Sequence, residues 1–280
     1  MPSALVLTHR AVQDTACALD PLLAAARAAG FELRFDREET AKHGLEAGDG
    51  LVVDHEGDDV DLCIVLGGDG TILRALRRFA GAGVPVFAMN FGEVGFLATV
   101  EPDDMGEGFR RAFAHEFEVL PLPAVVLSGL DGDKAAINDV SIHRKVGERV
   151  AQLAYAIEDA ELGSVRCDGL VIATPAGSTG YNLANAGPVM AWGVEGFAVS
   201  FIAPHSLTAR ALVVAPNDTL TVHNRGNDVV DVIVDGRPIG ELSPGDAVSA
   251  TFRHDVASLA QVAGTSFYRR LRQKFGRLSS

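Results

Sequence analysis

The chain has only three cysteines in 280 residues, and their spacing argues against two kinds of site. Cys17, Cys63 and Cys167 are widely separated and fit neither a paired disulfide framework nor a CxxC metal site. The eight histidines show no HxxxH or HExxH spacing, which argues against zinc held by protein ligands. We therefore expect no metal site built from side chains of the protein.

Long hydrophobic runs and an excess of positive charge are also absent. No stretch of roughly 18 uninterrupted apolar residues occurs, and the first ten residues lack the apolar core and cleavage site of a signal peptide. The 24 basic residues are outnumbered by 37 acidic ones, and the net charge of −13 argues against nucleic-acid binding. These absences predict a cytoplasmic protein with no membrane or nucleic-acid partner.

Two common nucleotide-binding fingerprints are missing. The sequence contains no GxxxxGK[ST] motif, and no GxGxxG motif follows a predicted strand. Neither a P-loop enzyme nor a standard dinucleotide-binding dehydrogenase is therefore indicated.

The apolar pattern divides the chain into three segments. Residues 1–121 alternate short apolar runs with amphipathic stretches, which predicts a parallel sheet with helices on its faces. Residues 122–262 carry short β-type runs and turn dipeptides such as Asp131-Gly132, which predict an antiparallel, all-β domain. Residues 263–280 return to helical spacing and predict a C-terminal helical segment.

The first motif that carries chemistry is Gly67-Gly-Asp-Gly-Thr71, between a strictly apolar run and an amphipathic helix. Glycines allow close approach of a ligand, and the N–H groups at a helix start favour a phosphate. Asp69 is suited to accept a proton from an attacking hydroxyl or to bind magnesium in phosphoryl transfer. The structural alternative is a tight turn in which Asp69 caps the helix.

Two further motifs lie in the all-β segment. Residues 168–188 contain an apolar strand, Leu170–Ala173, followed directly by a polar loop with several Gly and Pro residues. The loop is rich in groups that suit phosphate and ribose oxygens. The alternative is a surface loop whose hydroxyls satisfy its own turns. Asn138-Asp139 interrupts an apolar run, so a ligand or a hydrogen-bonding network is needed for at least one side chain, although a turn or strand-edge role is equally compatible.

Taken together and in this order, the motifs resemble the NAD kinase family of bacterial type. The resemblance extends to Asn90–Gly92, Gly95–Leu97, residues 203–210 and residues 234–236, and it covers most of the chain. GGDG alone is shared with diacylglycerol and sphingosine kinases and with phosphofructokinases, whereas the ordered set is specific. It implies an N-terminal α/β domain with a Rossmann-like sheet, a C-terminal β domain, and a final helical segment that returns to the first domain.

The resemblance also implies a reaction and its participants. The terminal phosphoryl group of ATP, or of inorganic polyphosphate, passes to the 2′-hydroxyl of the adenosine ribose of NAD and gives NADP. Mg²⁺ or another divalent cation is held through the nucleotide phosphates, and the enzyme is a homodimer or homotetramer. By resemblance, Asp69 is the catalytic carboxylate. The phosphate donor is contacted by Gly67, Gly68, Gly70 and Thr71. NAD is contacted by Asp69, Gly70, Phe91, Asn138, Asp139, Asp168, Thr179, Gly180, Tyr181, Asn182, Ala184 and Asp235.

Individual roles follow from the same resemblance. Asn138 and Asp139 hold ribose hydroxyls, Phe91 lines the NAD pocket and Asp168 contacts the nicotinamide end. Asp235 matches a family aspartate near the substrate, with an ordinary Asp-Gly turn as its alternative.

Three residues depart from the commonest family pattern, and two other functions stay open. Asp139 stands where many members have Glu, Gly180 where Ala is frequent, and Ala184 where several have Ser, which bears on substrate preference and affinity. A lipid kinase that shares GGDGT is one alternative, although no membrane-facing apolar or basic segment is evident. A catalytically silent nucleotide-binding regulator is the other, and the presence of Asp69 argues against it.

Overall fold

The structure is a computed structural model that describes residues 1–92, 95–158 and 160–276. The last four positions of the predicted segment 263–280 lie outside the described residues. The chain divides into two compact units, of which unit 1 comprises Met1–Pro121 and Ala257–Ser280 and unit 2 comprises Leu122–Val256.

Helices alternate with strands in the first part of the chain, and strands predominate from β6 onward. The elements are β1 (Ser3–Thr8), α1 (Val12–Ala29), β2 (Glu32–Arg34), α2 (Arg37–His43), β3 (Leu51–Val52), β4 (Leu62–Leu66), α3 (Asp69–Arg78), β5 (Pro85–Met89), α4 (Met105–Phe113), β6 (Glu118–Ser128), β7 (Lys134–Ala136), β8 (Asp139–Arg144), β9 (Ala151–Ile157), β10 (Ala160–Cys167), β11 (Gly169–Ala173), α5 (Tyr181–Ala184), β12 (Phe197–Ile202), β13 (Leu212–Val214), β14 (Leu220–Asn224), β15 (Val230–Val234), β16 (Arg237–Leu242), β17 (Ala247–Gln261) and α6 (Phe267–Phe275). Two 3₁₀ turns span Pro102–Asp104 and Gly177–Thr179.

Unit 1 contains a parallel sheet in the order β17-β5-β4-β1-β2-β3, to which β17 contributes residues 258–260. Every residue of β1 and β4 is buried, as expected for central parallel strands covered on both faces. Helix α1 ends at Ala29, because Gly30 adopts the left-handed conformation (φ 71°) that closes a helix. The predicted α/β fold of this unit, with the C-terminal helix included in it, is confirmed.

The parallel arrangement places two loops at one edge of this sheet. Strands β4 and β5 are neighbours, and Leu66 pairs with Met89 at their carboxyl ends. The loop Gly67-Gly68 follows β4, and Asn90-Phe91-Gly92 follows β5. Ligands of open α/β sheets bind at the carboxyl edge, so this edge positions the first candidate site.

Unit 2 is built almost entirely from antiparallel strands, as predicted. One sheet has the order β13-β12-β11-β8-β15-β16, and other strands pair as β10-β9-β14-β17, with β17 contributing residues 247–250. Buried aliphatic side chains such as Leu153, Leu170 and Val222 form its core. At one end of the six-stranded sheet, Asp139 is paired with Ala173 and Val140 with Val234.

Candidate active site

The GGDGT motif forms the connection from β4 to α3 in unit 1. Gly67 is buried, and a Cβ atom there would lie only 2.7 Å from the Thr71 hydroxyl oxygen. Gly70 is exposed, and a Cβ atom on it would meet nothing within 4 Å. The motif is therefore tightly packed at its first glycine and open to a ligand at its last.

Asp69 is the first residue of α3 rather than its cap, since Gly68 occupies the N-cap position. Its carboxylate accepts hydrogen bonds from the backbone N–H groups of Phe96, at 2.8 Å, and Leu97, at 3.1 Å. A Cβ atom at Gly95 would lie 2.1 Å from Asp69 Oδ1, so a larger residue at this position would displace the carboxylate. The capping alternative is thus wrong, and the carboxylate is fixed by a separate loop.

Phe91 lies in the neighbouring loop and packs partly buried against the core of unit 1. The side chain of Asn90 shapes this loop, because its Oδ1 accepts from Gly92 N at 3.1 Å and its Nδ2 donates to Glu101. A Cβ atom at Gly92 would lie 3.4 Å from the Cα of Gly68. The two glycine loops therefore approach each other closely, and Phe91 stays next to the GGDGT motif.

Helix α6 packs beside the loop that binds Asp69. The Phe96 ring contacts the rings of Phe267 and Phe275, with centroid separations of 6.0 and 5.9 Å. Lys274 Nζ lies 5.3 Å from the centroid of the Phe96 ring.

On the same helix, Arg270 is buried, and its charge interacts with those of Asp69 and Glu101. The sequence predicted a helical segment here, but nothing in it distinguished Arg270 from the exposed arginines around it.

In unit 2, Asp235 binds the segment that carries Asn138 and Asp139. The Asp235 carboxylate accepts hydrogen bonds from the backbone N–H groups of Ile137, Asn138 and Asp139 at 3.0, 2.8 and 3.1 Å. Asp235 is buried and has a positive φ of 46°, a conformation that Asp tolerates better than most residues. Asp235 and Gly236 form the turn between β15 and β16, as in the turn alternative, and the Asp235 carboxylate in addition holds the segment that carries Asn138 and Asp139.

The polar side chains of Asn138 and Asp139 differ in how they are satisfied. Asn138 Oδ1 is buried and has no hydrogen-bond partner among the described residues. Burial, and secondarily the charge of Asp235, raises the pKa of Asp139 to about 7. This end of the sheet thus offers an unsatisfied amide oxygen and a carboxyl group that titrates near neutral pH.

The polar loop after β11 is held mainly by its own hydrogen bonds. Thr174 Oγ1 donates to Ile137 O and accepts from Gly177 N, and Ser178 Oγ accepts from Met190 N. Asn182 is completely buried, and its amide nitrogen donates to the backbone oxygens of Ser178 and Pro188. The hydroxyls of Thr174 and Ser178 thus satisfy the loop's own turns, as in the alternative interpretation, although they are buried and not at the surface. The Oδ1 of Asn182, in contrast, is buried without a hydrogen-bond partner among the described residues.

The remaining predicted contacts lie on the outer side of this loop. Gly180, Tyr181 and Ala184 are exposed, while Thr179 is partly buried and donates to Ala176 O. The Tyr181 ring stacks on His143 with a centroid separation of 5.6 Å. Burial raises the pKa of Tyr181, and the charges of Asp139 and then Asp168 raise it further.

Asp168 lies immediately before β11 and is already paired. Its carboxylate accepts from Arg144 Nε, and both side chains are about one-third exposed. Neither Arg144 nor His143 was predicted as a site residue, because a basic residue in a β-strand is usually a solvated surface residue. Their proximity to Asp168 and Tyr181 becomes visible only in the strand pairing.

Two family models cover most of the chain. The model of the ATP-NAD kinase N-terminal domain matches residues 25–117, and that of the ATP-NAD kinase C-terminal domain matches residues 137–260. The chain belongs to the ATP-NAD kinase family. The resemblance inferred from the ordered motifs is thereby confirmed, while the roles of individual residues stay predictions.

Individual members of the family match along nearly the whole sequence. An NAD kinase from Gemmatimonas aurantiaca is 32% identical over 278 residues, which cover 97% of this chain and 94% of that protein. An NAD kinase from Bifidobacterium longum is 31% identical over 282 residues, which cover 98% of this chain and 81% of that protein.

Solved structures of the family share the fold. Yeast NADH kinase complexed with NADH matches with a TM-score of 0.87 at 22% identity, covering 100% of this chain and 89% of the yeast chain. An NAD kinase from Archaeoglobus fulgidus in complex with ATP matches with a TM-score of 0.73 at 23% identity, covering 99% and 98%. Among the described residues, no helix combines the length and apolar character needed to span a bilayer.

Proposed function

We propose that this member of the family transfers the terminal phosphoryl group of ATP to the 2′-hydroxyl of the adenosine ribose of NAD. The observation that supports this most strongly is the fixed Asp69 carboxylate, held by two N–H groups at the carboxyl edge of the sheet and beside an open glycine loop. The products are NADP, ADP and a proton. The family matches favour this reaction over the lipid-kinase alternative.

Asp69 is proposed to orient the hydroxyl and accept its proton. As the hydroxyl oxygen forms its bond to the terminal phosphorus, the bond from that phosphorus to the ADP oxygen breaks. A sugar hydroxyl is a weak nucleophile, so a positioned base is expected to supply about 10²- to 10⁴-fold of the rate. The N–H groups of Phe96 and Leu97 hold the carboxylate in one orientation, which limits the motion that would otherwise reduce this effect.

The donor phosphates are proposed to bind at Gly67, Gly68, Gly70 and Thr71. The first turn of a helix leaves N–H groups without helical partners, and these attract an anion. The exposed backbone of Gly70 supports this role, because no side chain blocks its approach. ATP is the proposed donor, and inorganic polyphosphate presents the same terminal chemistry.

A divalent cation, Mg²⁺ by preference, is proposed to accompany the donor. No group of three or more His, Cys, Asp or Glu side chains that could hold a metal occurs among the described residues. We expect the nucleotide phosphates to carry the cation, since Mg²⁺ commonly keeps several waters and takes few protein ligands. When bound, it offsets the repulsion between the phosphates and nearby carboxylates.

NAD is proposed to contact the predicted residues of unit 2 in two ways. The unsatisfied Oδ1 of Asn138 supports a direct hydrogen bond from a ribose hydroxyl, because a buried polar atom without a partner is unfavourable. Asp139 is proposed to bind the same ribose, and Asp168, Thr179, Gly180, Tyr181 and Ala184 to contact the dinucleotide. Asp235 and Asn182, whose polar atoms mainly bind backbone groups, are proposed to position the segments that make those contacts.

Phe91 is proposed to line the NAD pocket, and the homodimer or homotetramer is proposed from the resemblance. Cytoplasmic location stays a prediction from the sequence.

The test is the substitution Asp69→Asn, measured by NADP formation from NAD, ATP and Mg²⁺. We expect kcat to fall by at least about 100-fold, because the amide cannot accept the proton. Asp59→Asn, at an exposed position, is the matched control and should retain activity. Near-normal turnover in Asp69→Asn, with thermal unfolding showing a folded protein, would contradict the assigned role.

A further inference from the structure

Helix α6 presents a basic side chain to the loop that fixes the catalytic carboxylate. Phe267 and Phe275 hold the helix against Phe96, whose N–H group donates to Asp69 at 2.8 Å. Arg270 lies between these two anchors in sequence, and it is buried with only 8% of its surface exposed. The packing of α6 therefore brings a guanidinium group close to Asp69.

The guanidinium of Arg270 is not fully satisfied within the described part of the chain. Its Nε is buried without a hydrogen-bond partner, and it forms no ion pair with any other described residue. Burial lowers the pKa of Arg270, while the charges of Asp69 and Glu101 act in the opposite direction. Removing a charged group from water without a partner is costly, so a buried unpaired arginine points to an anion that binds there.

The two neighbouring carboxylates are already occupied. Asp69 accepts hydrogen bonds from two backbone N–H groups, and Glu101 accepts one from Asn90. A planar guanidinium offers donors in a fork that matches phosphate oxygens. A Cβ atom at Gly70, in the GGDGT loop, would meet nothing within 4 Å, so the loop leaves room there for such an anion.

We propose that Arg270 binds the phosphate chain of the phosphoryl donor. The identity of that donor as ATP rests on the proposed function, whereas the phosphate specificity rests on the unpaired guanidinium itself. In the transfer, the bond from the terminal phosphorus to ADP breaks and leaves charge on an ADP oxygen. A guanidinium N–H directed at the phosphate chain stabilises this charge, and Lys274, four residues later on α6, adds positive potential beside Phe96.

The test compares Arg270→Met with Arg272→Met, an exposed control on the same helix. Calorimetry measures binding of ATP with Mg²⁺, of inorganic triphosphate, and of NAD separately. For Arg270→Met we expect ATP and triphosphate affinity to fall about 10- to 100-fold, as for loss of a charged hydrogen bond. NAD affinity should stay within about twofold. Thermal stability should be unchanged or higher, because an unpaired buried charge is replaced by an apolar chain of similar length.

Two outcomes contradict the proposal. One is unchanged affinity for both ATP and triphosphate in Arg270→Met. The other is a parallel loss of ATP affinity, NAD affinity and thermal stability, which indicates a purely structural residue.

Arg270→Lys is a second variant that keeps a positive charge. A weakened affinity for ATP and triphosphate at unchanged NAD affinity supports the proposal, while a parallel loss of ATP and NAD affinity contradicts it. If the wild-type protein forms no NADP, the proposed function fails. The triphosphate comparison still decides the role of Arg270, because it requires no turnover.

Discussion

Gly95→Ala tests whether the position of the Asp69 carboxylate determines the rate. A Cβ atom at residue 95 would lie 2.1 Å from Asp69 Oδ1 and 2.5 Å from its Cγ, whereas real Cβ contacts are essentially never shorter than 3.0 Å. The carboxylate must therefore move by about 1 Å and lose at least one of its two N–H hydrogen bonds. A misplacement of about 1 Å in a catalytic group can reduce the rate about 100-fold.

We expect Gly95→Ala to fold and to lose about 100-fold in kcat, because the atoms that must move belong to a side chain and not to the backbone. A coupled assay of NADP formation measures kcat, and thermal unfolding checks the fold. Gly106→Ala in α4 is the matched control, since its added Cβ meets nothing within 4 Å and alanine favours a helix. A kcat for Gly95→Ala close to that of Gly106→Ala would refute the reasoning.

Two further predictions concern unit 2. Asp235→Asn keeps a residue that tolerates positive φ but loses the acceptor for one of three backbone N–H groups. Denaturant unfolding should therefore show a free energy of unfolding lower by about 1–3 kcal/mol. An unchanged free energy of unfolding contradicts the role of Asp235 in holding this segment. Asp139, with a folded-state pKa raised to about 7, contributes stability that is complete at low pH and is lost as the pH rises through about 7. Relative to Asp139→Asn, the wild-type free energy of unfolding should therefore fall between about pH 4 and pH 7, from the ordinary pKa of 3.8 to the raised one, and stay level above it. Parallel pH profiles of the two proteins contradict this.

The elements that the sequence predicted best are those whose pattern is local. The apolar run that became β4, followed by glycines and an amphipathic stretch, predicted the strand, loop and helix around Asp69. Helix α4 was not predicted, because Gly106 and Gly108 lower helix propensity. It forms because Phe109 and Phe113 enter the core and because Gly108 fits against Met89 and Val100. Helix α4 is therefore stabilised by tertiary packing, which the local sequence does not reveal.

The candidate site was predicted in composition but not in its internal contacts. Asp235 was singled out, yet its three hydrogen bonds reach residues 96 to 98 positions away in the chain. The pairing of Arg144 with Asp168 likewise depends on the register of β8 and β11. Arg270 had no distinguishing pattern, because burial next to Phe96 cannot be inferred from a run of arginines. Long-range contacts of this kind are set by the fold as a whole.

The net negative charge of the chain bears on how the proposed substrates bind at these sites. The protein carries a net charge of −13, and both proposed substrates are anionic. Long-range steering therefore opposes their binding, and local donors must overcome it. The glycine loop and Arg270 in unit 1 are the groups proposed to do so.

The measurement that tests the central claim most directly is NADP formation by the wild-type protein, detected with an NADP-specific dehydrogenase. The assay combines NAD or NADH with ATP or polyphosphate, in the presence of Mg²⁺, and a parallel reaction offers ATP and diacylglycerol. We predict NADP from NAD and ATP, and no phosphorylated lipid. Phosphorylated lipid, or an absence of phosphorylated dinucleotide with every donor, would contradict the proposed function.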